Sequence, residues 1–122
     1  MLWTNGLHLH RWPGDRSRRR TAVGARFLVD SGARYTLLPH DVWTAIDLEP
    51  RRTQTFIMAD GTPVQRAISE CRIHLPQGET ATPVILGEPG DHALLGVVTL
   101  EELGLVLHPF SRELHREVSM LA

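Results

Sequence analysis

The chain has 122 residues, enough for one compact domain and hardly two. Apolar residues make up 42% and charged residues 22%, and 13 basic against 14 acidic groups leave a net charge of −1, too apolar for a disordered chain and too balanced for a nucleic-acid binder. The single Cys71 excludes an internal disulfide and any multi-cysteine zinc site, and all 13 basic residues are arginine, which excludes phosphate-loop, Schiff-base and pyridoxal chemistry for want of a lysine amine.

No apolar run approaches the ~20 residues that span a bilayer, and Met1 to Gly6 lacks the basic start and apolar stretch of a signal peptide. With one cysteine and no such signals, a reducing, cytoplasmic setting and no membrane partner are expected.

Gly6-Leu7-His8-Leu9-His10 is the first candidate strand. His8 and His10 alternate onto one side of it, a workable ligand pair, but no third ligand follows at motif spacing. They read as surface histidines on an edge strand, and no metal site or cofactor is expected. Arg11 to Arg20 holds five arginines around Pro13-Gly14-Asp15 and reads as a solvated loop between strands. Residues 1–20 thus form a variable, arginine-rich segment containing a possible first strand and loop, and 21–122 form the domain proper.

From Thr21 the pattern is mainly short strands. Ala22 to Val29 is an apolar run stopped by the turn-forming Asp30-Ser31-Gly32, and Tyr35 to Leu38 is another, closed by Pro39. Val42, Trp43 and Ile46 are spaced as one face of a short helix that begins near Pro39. Phe56-Ile57-Met58-Ala59 runs into Asp60-Gly61, a strong hairpin signal. Pro63 to Leu75 lacks a helical period and is expected to hold two strands, and Thr80 to Leu86 another. Ala93-Leu94-Leu95 stops at Gly96. Thr99 to Gly104 then reads as a brief helix with a threonine N-cap and a C-terminal glycine. Leu105 to Leu107 and the tail alternate as strands. Phe27-Leu28-Val29 and Ala93-Leu94-Leu95 echo one another: each runs into a glycine-bearing turn followed by a short helix, a weak internal symmetry.

Asp30 is the sharpest chemical position, a carboxylate where a buried strand emerges into a turn, with Gly32 permitting tight backbone approach. An isolated Asp-Ser-Gly is usually a turn aspartate bonded to nearby amides. Ser31 lacks a nucleophile-elbow context. Cys71, within Ile68-Ser69-Glu70-Cys71-Arg72-Ile73, reads as a buried strand residue. Ala59-Asp60-Gly61-Thr62 lacks both the nucleophilic aspartate and the lysine of aspartate-nucleophile phosphatases.

The extended stretch is more specific. Phe27-Leu28-Val29-Asp30-Ser31-Gly32-Ala33-Arg34-Tyr35-Thr36-Leu37-Leu38-Pro39 resembles the active-site stretch of the retropepsin-like aspartic proteases, above all their small bacterial members. Leu94-Leu95-Gly96, ahead of a short helix, matches the family's second hallmark, and Met58-Ala59-Asp60-Gly61-Thr62 stands where its flap hairpin falls. The likeness spans roughly residues 22–118.

This resemblance implies a mostly β, single-domain, retropepsin-like closed β-barrel or sheet with one or two short helices and a flap hairpin, active as a homodimer. Hydrolysis of a peptide without a metal or covalent intermediate needs one carboxylate to activate water and another to protonate the carbonyl. The chain carries one Asp-Ser-Gly, so the resemblance implies that Asp30 of each subunit meets its mate on a two-fold axis. By the same likeness Ser31 bonds across the dyad, Gly32 turns its N–H to the carboxylate, and Ala33 lines the cleft. Ala59, Asp60 and Gly61 sit at the flap tip over a peptide or protein substrate, and Leu94, Leu95 and Gly96 pack beneath the active-site loop. Arg34 departs from the pattern, standing where a smaller or neutral side chain is usual; it either favours ionised carboxylates or points into solvent. The alternative reading is a protease-fold module that binds peptides or dimerises without cleaving.

Overall fold

The computed structural model describes residues 2–11, 23–108 and 110–117. The arginine-rich run from 12 to 20 and the last five residues lie outside them. The first strand, β1 (His8–His10), sends Leu9 into the core, and Leu7 just before it is equally buried. Each such leucine contributes about 1.5–3 kcal/mol on burial. Residues assigned by sequence to a variable segment therefore supply both the expected strand and part of the core.

The expected strand from Ala22 to Val29 divides into β2 (Val23–Gly24) and β3 (Leu28–Val29). The interruption has a cause: Phe27 is fully buried, its N–H donates to the Thr4 hydroxyl at 2.9 Å and its carbonyl accepts the Thr4 N–H at 2.9 Å. β4 (Thr36–Leu38) and helix α1 (His40–Ala45) follow. Pro39 caps α1, and Val42 and Ile46 face the core with Trp43 half-buried beside them, the face that the spacing predicted.

β5 (Arg52–Ile57) and β6 (Pro63–Leu75) form a long hairpin. The stretch expected to hold two strands is one strand of 13 residues that changes partners. Its first half pairs with β5 up to Ile68; from Ile68 onward it pairs with β7 (Gly78–Leu86), and Arg72 to His74 also pair with β1. Only the second half alternates cleanly inward, through Cys71, Ile73 and Leu75. Cys71 is fully buried, and its apolar surroundings push the thiol up to about 12, so it is an inert core residue.

β8 (Leu94–Leu95) leads into α2 (Val97–Leu103), then β9 (Leu105–Leu107) and β10 (Leu114–Arg116), which pair with each other. The helix begins earlier than its sequence suggests: Gly96, not Thr99, is the N-cap, and Thr99 is a fully buried residue of the first turn. Its end is as expected, with Gly104 in the left-handed conformation at φ 69°.

The main sheet runs β2-β1-β6-β7-β4-β8-β3, with β5 added on β6. The path then returns on itself. Trp3 bridges to Leu28, and the Val29 N–H donates to Leu2 at 2.9 Å, so the residues just before β1 complete the ring against β3. The core of Leu7, Leu9, Phe27, Leu38, Ile73, Val84 and Leu95 lies inside it. The two strands that echo each other in sequence are parallel neighbours, Leu28 opposite Leu94 and Val29 opposite Leu95, although β4 intervenes before a helix in one and not in the other. Among the described residues no helix is long and apolar enough to cross a membrane.

Candidate active site

Asp30 follows β3 directly, half-buried where the chain leaves the sheet. Its backbone N–H donates to the Leu95 carbonyl at 3.1 Å, so β8 holds the loop from beside it. The Gly32 N–H donates to Asp30 Oδ1 at 2.9 Å, and the Ala33 N–H donates to the Asp30 carbonyl at 3.1 Å. Oδ2 makes no hydrogen bond among the described residues. A carboxylate held through one oxygen keeps the other free to take a proton from water. Ser31 and Gly32 are exposed, and Ala33 is half-buried.

The far side of the loop is pinned by α2. The first N–H groups of a helix have no partner within it. Here the Val97 N–H donates to Ala33 at 2.8 Å and the Val98 N–H to Arg34 at 2.9 Å. Such approach requires glycine at position 96. A Cβ there would lie 2.4 Å from the Tyr35 carbonyl carbon and 2.8 Å from the Thr36 nitrogen, closer than any side chain tolerates.

Beneath this junction lies a chain of buried hydroxyls that the sequence did not reveal. The Gly96 N–H donates to Thr36 Oγ1 at 3.0 Å; Thr36 Oγ1 lies 2.6 Å from Thr99 Oγ1, and Thr99 Oγ1 lies 2.9 Å from Thr82 Oγ1. Thr82 in turn donates to the Pro83 carbonyl at 3.3 Å. Each hydroxyl has one proton to give, so the last bond sets the direction: Thr36 donates to Thr99, and Thr99 to Thr82. Three threonines from β4, α2 and β7 thus tie the loop's support together. The available signal was weak, a threonine at the start of an apolar run and another three residues after a glycine.

Arg34 turns to its neighbour, its guanidinium 5.6 Å from the Tyr35 ring centre. Tyr35 meets Phe56 of β5 edge-on at 6.0 Å, the link between the Asp30 loop and the long hairpin. Partial burial acts to raise the Tyr35 phenol, but Arg52, Gln54 and Arg34 around it outweigh that and hold it below its ordinary value.

The hairpin's tip is a turn from Met58 to Thr62, with the Met58 N–H donating to Thr62 and the Gly61 N–H to Met58, both at 2.9 Å. Ala59, Asp60 and Gly61 are all exposed in it, and Gly61 takes φ 87°, where L side chains are strained. The Thr62 N–H donates to Asp60 Oδ1 at 2.9 Å, and the Thr62 amide and hydroxyl hold the Asp60 carboxyl below its usual range. Ile57 and Met58 present apolar side chains to solvent, 69% and 51% exposed.

The structure thus joins Asp30, Ser31, Gly32 and Ala33 with Leu95 and Gly96 in one hydrogen-bonded unit, and puts Ala59, Asp60 and Gly61 together on a separate hairpin tip. No protein-family model and no curated protein matches this chain. Among solved structures it is similar to the solution structure of simian foamy virus (mac) protease, at 20% identity, covering 78% of this chain and 90% of that chain with a TM-score of 0.51. Mostly β, curled on itself and carrying two short helices, this chain has a retropepsin-like fold.

Proposed function

We propose that the protein is an aspartic endopeptidase that works as a homodimer, with Asp30 of each subunit sharing one water between them. The observation that carries this reading is the state of Asp30: one oxygen is anchored by the Gly32 amide, the other is unengaged among the described residues, and the backbone on both sides is held by β8 and α2. One carboxylate acts as base towards the water while its mate, keeping the shared proton, donates to the carbonyl of the peptide. Water adds to the carbonyl carbon; collapse of the tetrahedral species expels the amine, which takes up the proton. Gly32 positions the carboxylate, and the exposed Ser31 hydroxyl links the two loops across the axis. The hairpin tip, with Ile57 and Met58 beside Ala59, Asp60 and Gly61, closes over an extended peptide and excludes bulk water. The motif's likeness to the small bacterial retropepsins supports the same reading.

The test is cleavage of a fluorogenic peptide library between about pH 4 and 7. Asp30→Asn removes a group that acts in both proton transfers and is expected to lower kcat/KM by about 10²–10⁴-fold or more, with an unchanged far-UV spectrum. A hydroxyl-bearing transition-state mimic such as pepstatin inhibits the wild type. Activity per mole falls on dilution as dimers dissociate. Cleavage that survives Asp30→Asn overturns the chemistry. Peptide binding without cleavage identifies a binding module of the same fold.

A further inference from the structure

Two arginines from different elements converge on one tyrosine beside the Asp30 loop. Arg52, Gln54 and Phe56 are alternate residues of β5, so their side chains share one face of it. Tyr35 lies along that face: it meets the Phe56 ring edge-on at 6.0 Å, and Arg52 and Gln54 stand around its hydroxyl. From the loop side Arg34, just past Ala33, sets its guanidinium 5.6 Å from the centre of the same ring. Arg52 Nη1 donates to Gln54 Oε1 at 2.6 Å. The phenol and that amide are neutral, and two guanidinium groups carry more N–H donors than both can take. Among the described residues no carboxylate pairs with Arg34 or Arg52, whereas Arg66 and Arg72 each have a glutamate, Glu88 at 3.2 Å and Glu79 at 3.4 Å. Both Arg34 and Arg52 are exposed.

We propose that Arg34 and Arg52 form a cationic subsite that selects peptides with an acidic side chain, glutamate or aspartate, a few residues from the scissile bond. The inference rests on the peptidase reading for the cleft, whose walls are the Asp30 loop and the β5–β6 hairpin. Tyr35 and Phe56 join those walls, so the two guanidinium groups stand at the side of the cleft, and among the described residues neither pairs with the Asp30 carboxyl. An extended peptide advances about 3.3 Å per residue and turns alternate side chains to one face, so its residues near the cleaved bond, and not the bond itself, meet this wall. A carboxylate there accepts charge-assisted N–H bonds that an amide of the same shape does not receive. Tyr35 holds both arginines in advance, which lowers the cost of ordering two long side chains on binding. The proposed two-fold axis gives the dimer two such clusters, one towards each end of the cleft. An acid on each side of the scissile bond is therefore favoured over an acid on one side.

The experiment compares fluorogenic peptide pools with Glu, Gln or Lys fixed at one position on either side of the centre, at about pH 6, where a substrate glutamate is ionised. The wild type is expected to cleave the best Glu pool with a kcat/KM about tenfold above its Gln counterpart, and a pool with Glu on both sides better still. Arg34→Gln and Arg52→Gln each bring the Glu-to-Gln ratio most of the way to one, and Arg34→Glu moves the preference to Lys. Arg116→Gln, on β10, leaves the ratio unchanged. Equal cleavage of Glu and Gln pools, or a Glu preference that survives both arginine variants, overturns the subsite and leaves the peptidase reading standing. If no pool is cleaved, the peptidase reading fails and fluorescence anisotropy of the labelled pools tests the subsite alone. Tighter binding of the Glu pools, abolished by Arg34→Gln and Arg52→Gln, then supports it; equal binding of Glu and Gln pools overturns it.

Discussion

The Asp30 loop and the tip of the β5–β6 hairpin are both turns of a few residues, yet they are held in opposite ways. The loop is bonded on every side: to β8 through Leu95, to α2 through Ala33 and Arg34, and through Gly96 to three buried threonines. Among the described residues the tip is bonded only to itself and stands in solvent, and β5 pairs only with β6. On the proposed reading, the first keeps a carboxylate in place and the second moves without disturbing it. Chemistry that depends on distance belongs on the first, and closure over a ligand on the second. The edge-on pair of Tyr35 and Phe56 links the Asp30 loop to the hairpin below its tip.

The largest effect is expected at Gly96. Gly96→Ala drives a methyl into the Tyr35 and Thr36 backbone, which cannot yield without shifting the Asp30 loop. It is expected to cost about 3 kcal/mol in urea unfolding and to depress peptide cleavage as well. A loss below ~0.5 kcal/mol would mean the loop is not pinned as described. Thr99→Val comes next. It keeps the shape but removes the middle hydroxyl, leaving Thr36 without an acceptor and Thr82 without a donor, at an expected ~1–3 kcal/mol.

What the residues disclosed in advance, and what they did not, follows the same division. The turns at Asp30 and Asp60-Gly61, the α1 face at Val42 and Ile46 and the left-handed Gly104 all depend on neighbours a few positions away, and short-range pattern captures them. Thr99 reads as a cap because threonine before acidic residues usually is one; its real partners, Thr36 and Thr82, are 63 and 17 residues distant. The continuity of β6 was hidden for a related reason. Its two halves have different partners and different exposure, so the inward alternation starts only near Ile68. The break before β3 depends on Thr4, from a segment whose role the composition of its neighbours obscured.

Substitutions at the hairpin tip sharpen the contrast from the other side. Ile57→Ser is expected to leave stability within ~0.5 kcal/mol, since the side chain is already in water. If the tip closes on a peptide, the same change removes a buried apolar contact and lowers kcat/KM roughly tenfold. Equal losses of stability at Ile57 and Thr99 would abolish the distinction between the two regions.

The smallest effect is the most selective. The Thr62 amide, then its hydroxyl, hold the Asp60 carboxyl below its ordinary 3.8, and the little burial it has works the other way. A carboxylate whose folded value is depressed gives its support above the unfolded value and loses it as pH falls through the folded one. The turn is therefore expected to be fully supported above pH 3.8 and to loosen only below it, with the Thr62 amide signal titrating at a value under 3.8. Asp60→Asn keeps an acceptor for that amide and abolishes the step. The threonine chain has no group that titrates in this window, so exchange of the Gly96 amide should not follow that of Thr62. If the two amides loosen together, the tip and the Asp30 loop are one cooperative unit, and a hairpin that cannot move independently cannot serve as the lid of this site.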